Sequence, residues 1–342
     1  MRRILLALGL CLIFAQAARA FDVEAVQDFG PDAPQRRLSV LSTTDIAILA
    51  PVIDAYLAQT PGLGLHYVVA SSQEVHRAIA EEGAVFDLVI SSAMDLQMKL
   101  ANDGFARPLP APLTDAVPGW ARWRDLLVSV AQEPVVLILS PLALQPGEEV
   151  PRSRRDLIAL LRDNPDRFRD RVGSYDPTIS GVGYLLAAQD ARLSDTFWRL
   201  AEVMGRLDAR LYCCSGDMID AVRDGELLVA YNVLGSYAEA NAGHDIAVVE
   251  MEDFTLTLLR TALVPAVSER PELALDFLGY LLSPQGQALI DAGVGLPAVD
   301  AGVFERKPHL RPIRLDPGLL ANLDAITRLR FLGEWRAAME QP

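Results

Sequence analysis

The chain has 342 residues, 51% of them apolar and 22% charged, with 31 Lys and Arg set against 45 Asp and Glu. Its formal charge of −14 repels nucleic acid and anionic lipid, so neither is an expected partner. At roughly 150 residues per domain, the length predicts about two domains with ample material for a core.

Residues Met1–Ala20 read MRRILLALGLCLIFAQAARA, with two arginines, an apolar run and the small-x-small triplet Ala18-Arg19-Ala20. This is the pattern of a secretory signal cleaved after Ala20, with Phe21 first in the mature protein. The run Ile4–Phe14 falls short of the roughly 20 residues needed to span a bilayer. Without the leader, 28 basic side chains face 45 acidic ones, a formal charge near −17. The expected location is the periplasm.

Downstream, short apolar runs alternate with helical spacing, which predicts an α/β protein with mainly parallel sheets. Arg37–Ser42 reads as a strand, and Ile46, Leu49, Ile53 and Tyr56–Leu57 mark a helix that Pro51 should kink or restart. Strands are expected at Leu65–Ala70 and Phe86–Ser91, with helices at Ser72–Glu82 and Met94–Asp103. Further strands are expected at Glu133–Ser140, Val172–Asp176, Leu227–Tyr231, Ile246–Val249 and Phe254–Leu263. The tail reads as helices at Pro271–Leu282, Pro284–Asp291 and Pro317–Met339. If Glu133–Ser140 and Phe254–Leu263 are crossovers, 134–254 forms one lobe. Segments 21–133 and 255–342 then form the other, with a cleft between.

Three strands end in hydroxyl residues or glycine before a helix: Thr43-Thr44, Ser91-Ser92 and Ser180-Gly181. In open α/β sheets ligands sit beyond the carboxyl ends of strands, where free helix N–H groups attract oxyanions. Taken singly, Thr43-Thr44 and Ser91-Ser92 read better as helix caps, whereas the glycine of Ser180-Gly181 favours close approach of backbone to a ligand. Taken together, they predict a site for a small anionic solute, a phosphate ester or a carboxylate. Ser215 and Asn232 are candidate hydrogen-bonding groups from the second lobe. Tyr175 is a candidate to cover the solute, or a strand residue at the hinge. Arg152, Arg154 and Arg155 read as a solvated helix start.

Only Cys213 and Cys214 follow the leader. Neighbouring Cα atoms are too close for an ordinary bridge, which favours two buried thiols. His66, His76, His244 and His309 lack metal-binding spacing, and no G-x-S-x-G elbow or full dinucleotide fingerprint occurs. The motifs call for no catalysis, cofactor or metal.

At Ala274–Leu289 the chain reads ALDFLGYLLSPQGQAL, and STTD, SSAMDLQ, YDPTISGVGY and GELLVAYNVLGSY begin at Ser42, Ser91, Tyr175 and Gly225. In this order the segments resemble bacterial extracellular solute-binding proteins of ABC importers, in the branch of ferric-iron, thiamine, sugar-phosphate and phosphoglycerate binders. The resemblance implies a two-lobed periplasmic-binding-protein fold of type II character, with a hinge and an interlobe cleft. It also implies a monomer whose partner is a membrane permease or, alternatively, a sensor kinase. The tyrosine pair of the ferric binders is replaced by Asn232-Val233-Leu234, which speaks against iron. Thiamine stays open as an alternative.

Overall fold

The computed structural model describes residues 21–241, 246–294 and 296–340. The expected leader 1–20 lies outside them. Twelve strands are found: β1 Ala25–Phe29, β2 Arg36–Ser42, β3 Leu63–Val69, β4 Leu88–Ser91, β5 Arg122–Trp123, β6 Leu127–Leu139, β7 Val172–Tyr175, β8 Arg210–Tyr212, β9 Val229–Leu234, β10 Ala247–Val249, β11 Thr255–Leu263 and β12 Leu310–Pro312. Nine of them run in the order β1-β3-β2-β4-β11-β6-β9-β7-β8, while β5 and β10 pair with β6 and β12 with β11. The α/β expectation holds, but the sheet is mixed. β2 is parallel to β3 and β4, and β7 to β8 and β9, whereas β6 is antiparallel to both β11 and β9.

β6 belongs to both halves of this sheet. Its residues Val128–Pro134 pair with β11, and Val135–Leu139 pair with β9. The partner changes at Pro134, a residue with no N–H to give to a ladder. Gly235 packs there so closely that a Cβ would stand 2.7 Å from the Pro134 carbonyl. The chain returns at β10, which pairs with Leu137–Leu139, and re-enters the first half with β11.

Helix Ile46–Leu57 runs through Pro51 without restarting. The expected tail helix is two helices, Gly318–Asn322 and Ala325–Met339. Asp324 separates them by accepting hydrogen bonds from the amides of Ile326 and Thr327, as an N-cap does.

The last helix packs across the expected partition. Chain order placed 255–342 with the first half, yet Trp335, Ala338 and Met339 share a buried cluster with Leu157, Phe197, Leu200 and Met204 of the second. The contact needs Gly205, where a Cβ would stand 2.4 Å from the Ala338 carbonyl and 2.7 Å from that of Met339. Backbone cannot yield as a side-chain tip can. Gly205→Ala is therefore expected to cost about 1–3 kcal/mol, measured by urea unfolding.

A buried ionic network also departs from expectation. Arg154 is not solvated: its Nε donates to the Tyr231 hydroxyl at 2.7 Å and its Nη2 to Asp190 Oδ1 at 2.9 Å. Asp190 Oδ2 accepts from Tyr231 and from Asn232 Nδ2, at 2.7 and 2.9 Å. Arg152, by contrast, is exposed and pairs with Glu252. Position relative to the helix start does not separate the two arginines. The carboxylate waiting inside does.

Candidate functional site

Five chain segments that follow strands converge on one cleft of about 400 Å³. From the first half come Thr43 and Asp45 after β2, Ala70, Ser71 and Ser72 after β3, and Ser92 after β4. From the second come Ser180 in the loop after β7 and Cys213–Asp217 after β8, beside Tyr175, Val182, Leu234 and Tyr237. Glu24 completes the rim. Asp45, Ser71, Ser180 and Cys214 are each the N-cap residue of a helix, so four helix N-termini gather here. The volume suits a small molecule.

Five of the nine sequence-predicted residues line this cleft: Thr43, Ser92, Tyr175, Ser180 and Ser215. Several are already engaged. Ser180 Oγ accepts from the Gly183 amide at 3.1 Å, so it caps a helix while facing the cleft. Ser215 Oγ meets the Tyr175 hydroxyl at 2.5 Å and accepts from the Leu234 amide at 3.0 Å. The Ser92 amide donates to Thr43 Oγ1 at 3.1 Å.

The other four do not line it. The Thr44 hydroxyl is taken by Arg260, and Ser91 Oγ accepts from the Ala93 amide. Asn232 turns toward Asp190, with a backbone φ of +66°. Gly181 has a role other than the one its sequence suggested. A Cβ there would lie 2.7 Å from Ser72 Oγ and 2.8 Å from Leu96 Cδ1, both in the first half. The missing side chain admits the opposite half of the protein.

The halves meet through hydrogen bonds as well. Ser72 Oγ accepts from the Val182 amide at 3.2 Å, and Gln73 Nε2 donates to the Thr178 carbonyl at 3.3 Å. The Tyr237 hydroxyl accepts from the Asp45 amide at 3.1 Å and donates to the Thr43 carbonyl at 3.3 Å. Beneath the cleft, fully buried Arg260 places Nη2 2.6 Å from Glu133 Oε1, and Glu133 also binds the Ser236 hydroxyl.

Sequence reasoning missed Ser71 and Ser72, which carry the same signal used elsewhere: hydroxyls between a strand and a helix. It also missed the acids. Glu24, Asp45 and Asp217 line the cleft, and none of its described lining residues is Lys, Arg or His. Although its side chain is exposed at the rim, partial desolvation pushes the Glu24 carboxyl up, and the charges of Asp45 and Asp217 push it further. Desolvation also raises Asp45, partly opposed by Arg260 and the Tyr237 hydrogen bond. A carboxylate whose ionisation is resisted in this way is poised to receive a positive group.

Cys213 and Cys214 are joined as a disulfide, not held as two thiols, and both line the cleft. The geometric rule behind the thiol expectation describes bridges between separate chain segments; adjacent residues can close a ring through their own peptide bond. Cys213 Sγ lies 3.5 Å from Asp217 Oδ2. Tyr231 is locked in the Arg154–Asp190 network, away from the cleft.

The sequence profile of the bacterial extracellular solute-binding proteins matches residues 38–293. The chain belongs to this family. The solute-binding protein is thus a binder, not an enzyme, as the motif resemblance implied. No curated protein matches it. Among solved structures it is similar to the substrate-binding protein of an ABC transporter from Agrobacterium tumefaciens, at 29% identity and a TM-score of 0.86, over 92% of this chain and 98% of that one. It shares the fold of the periplasmic binding protein AfuA from Actinobacillus pleuropneumoniae, solved with fructose-6-phosphate, at 15% identity and a TM-score of 0.71 over 90% and 100%. It also shares that of iron-bound HitA from Pseudomonas aeruginosa, at 18% identity and a TM-score of 0.67 over 88% and 99%. The two-lobed type II periplasmic-binding fold is the one expected. Among the described residues, no helix is long and apolar enough to cross a membrane.

Proposed function

We propose that the protein is the exported, monomeric receptor of an ABC import system, closing on a small solute that carries a positive group beside an oxygen-rich one. The lobes of this reading are 21–133 with 255–324, and 134–254 with the final helix. β6 and the segment between β10 and β11 form the hinge.

One observation carries the choice of ligand: the cleft combines several helix N-termini with three carboxylates and has no cationic side chain among its described lining residues. Helix ends and hydroxyls alone would favour the anionic solute expected from sequence. Such a guest would also meet Glu24, Asp45 and Asp217. A dipolar solute resolves the conflict, with its ammonium or other cationic group toward the acids and its oxyanion or hydroxyls toward the helix starts. Thiamine-like cations fall within the class. Ferric iron fits less well, because Tyr231 is committed elsewhere and no adjacent tyrosine pair faces the cleft.

The test is a thermal-shift panel at neutral pH, comparing amino acids, ω-amino acids, polyamines and thiamine with sugar phosphates, phosphoglycerates and di- and tricarboxylates. A true ligand at about 100 times its Kd adds roughly 2.7 kcal/mol of stability. The largest shift is expected from a cation-bearing compound. A phosphate ester or polycarboxylate as the best stabiliser would restore the anionic reading and end this one.

A further inference from the structure

The Cys213–Cys214 disulfide crosses no distance in the fold and ties no two elements together. Its place, on the other hand, is specific. Both sulfurs line the cleft at the start of helix Ser215–Arg223, whose first turn carries Asp217. One ligand atom from each of Cys213, Cys214 and Asp217 can be chosen so that all lie within 4.8 Å of one another. Among the described residues, this is the one such group of metal-ligating side chains. Across the same cleft, Glu24 and Asp45 add negative charge from the other half.

We propose that two-electron reduction converts this cleft into a site for a thiophilic divalent cation, held by both thiolates and the Asp217 carboxylate. The inference rests on the reading of the cleft as the solute site, because it places the cation where the solute's positive group would sit. The chemistry balances with a dithiol as reductant. Its thiolate attacks one cysteine sulfur, the S–S bond breaks, and the resulting mixed disulfide is resolved by the second thiol. The dithiol leaves as a cyclic disulfide, and the protein gains two thiols. Binding the cation then releases their two protons.

Thiolates select soft or borderline ions such as Zn²⁺ or Cd²⁺ over Mg²⁺ or Ca²⁺. Zn–S bonds are about 2.3 Å, so the sulfurs must separate from bonding contact to straddle one ion. In the oxidised protein neither sulfur carries a charge, and Asp217 alone offers a ligand from this group. The disulfide thus decides which guest the cleft accepts: a dipolar organic solute when intact, a metal ion when reduced.

The experiment uses Cd²⁺ as the probe, because thiolate coordination gives an ultraviolet charge-transfer band. The whole protein is reduced with a phosphine, desalted without oxygen and titrated, in parallel with the untreated protein. One equivalent of Cd²⁺ with the band is expected after reduction, and neither tight binding nor the band before it. Cys213→Ser should lose the band while keeping the circular dichroism of the parent. Asp217→Asn should keep the band but bind more weakly. Absence of the band in the reduced protein overturns the proposal. Equal Cd²⁺ affinity in reduced, oxidised and Cys213→Ser proteins overturns it too, since the carboxylates alone would then hold the ion. So does unchanged affinity in Asp217→Asn. Solute binding is scored separately on the oxidised, metal-free protein, so its failure would sink the solute reading without touching this result.

Discussion

Replacing Arg260 by leucine is expected to lower the unfolding free energy by about 3–5 kcal/mol, which would be among the largest effects of any single change in this protein. Arg260 and Glu133 are fully buried, with their closest atoms 2.6 Å apart. Arg260 also binds the Thr44 hydroxyl, while Glu133 binds Ser236, so the pair joins strands β6 and β11 to the loop after β2 and to the helix Gly235–Asn241. The loss comes less from the missing attraction than from leaving a carboxylate buried without a counter-charge. The double variant Glu133→Leu/Arg260→Leu should therefore recover most of it, since an apolar pair of similar volume avoids desolvating either ion. Urea unfolding of the two variants beside the parent measures both. A single variant costing less than about 1 kcal/mol would mean that water or another partner takes over the carboxylate.

The second large effect is on pH dependence, and its sign separates the two ligand readings. Partial desolvation at the cleft raises the exposed Glu24 and Asp45, and burial pushes Asp95, on the helix after β4, up to about 7. A carboxyl raised in the folded state favours folding while protonated. Its contribution is complete below the ordinary carboxyl range and is lost as pH climbs through the folded value. These three carboxyls should thus withdraw their stabilisation of the solute-free protein from about pH 4 toward pH 7. A cation-bearing solute meets more negative charge over the same interval, so its affinity should rise with pH. The affinity of a wholly anionic solute should fall. Asp45→Asn should weaken the cationic guest by roughly 10- to 100-fold, on the scale of one charge-assisted hydrogen bond of 1.5–3 kcal/mol. Isothermal titration at several pH values reads both quantities. Affinity that declines with rising pH would defeat the dipolar-solute reading.

Much of the strand and helix content was legible because apolar spacing reports it directly. β2, β4, β7 and β9 fall within or close to the expected runs, and β11 falls inside Phe254–Leu263. Short edge pieces such as β1, β8 and β12 were not, because a few residues at a sheet edge carry too little periodicity to stand out. The family, too, was readable from ordered motifs spread along the chain. Of the residues lining the cleft, Thr43, Ser92 and Ser180 were picked by one rule, that hydroxyls at strand ends face a cleft in open sheets, while Ser215 and Tyr175 were candidates on other grounds.

The other expected residues, Thr44, Ser91, Gly181 and Asn232, lie off the cleft for a shared reason. Each satisfies or accommodates a group far away in sequence. Thr44 meets Arg260, the Ser91 carbonyl accepts from the Thr261 hydroxyl, Gly181 makes room for Ser72 and Leu96, and Asn232 donates to Asp190. No local pattern announces such a partner. Arg154 and Arg152 make the same point, being two residues apart at one helix start, one buried beside Asp190 and the other in solvent.

The linear order of residues therefore settled the alternation of strands and helices and the family, both of which depend on neighbours along the chain. Charge placement was beyond it. A total of −14 says nothing about where acids gather, and only folding brings Glu24, Asp45 and Asp217 to one cleft. The same folding turns two adjacent sulfurs inward and carries the last helix across to Gly205. Those outcomes depend on distances between remote segments, which are set when the sheet closes around β6.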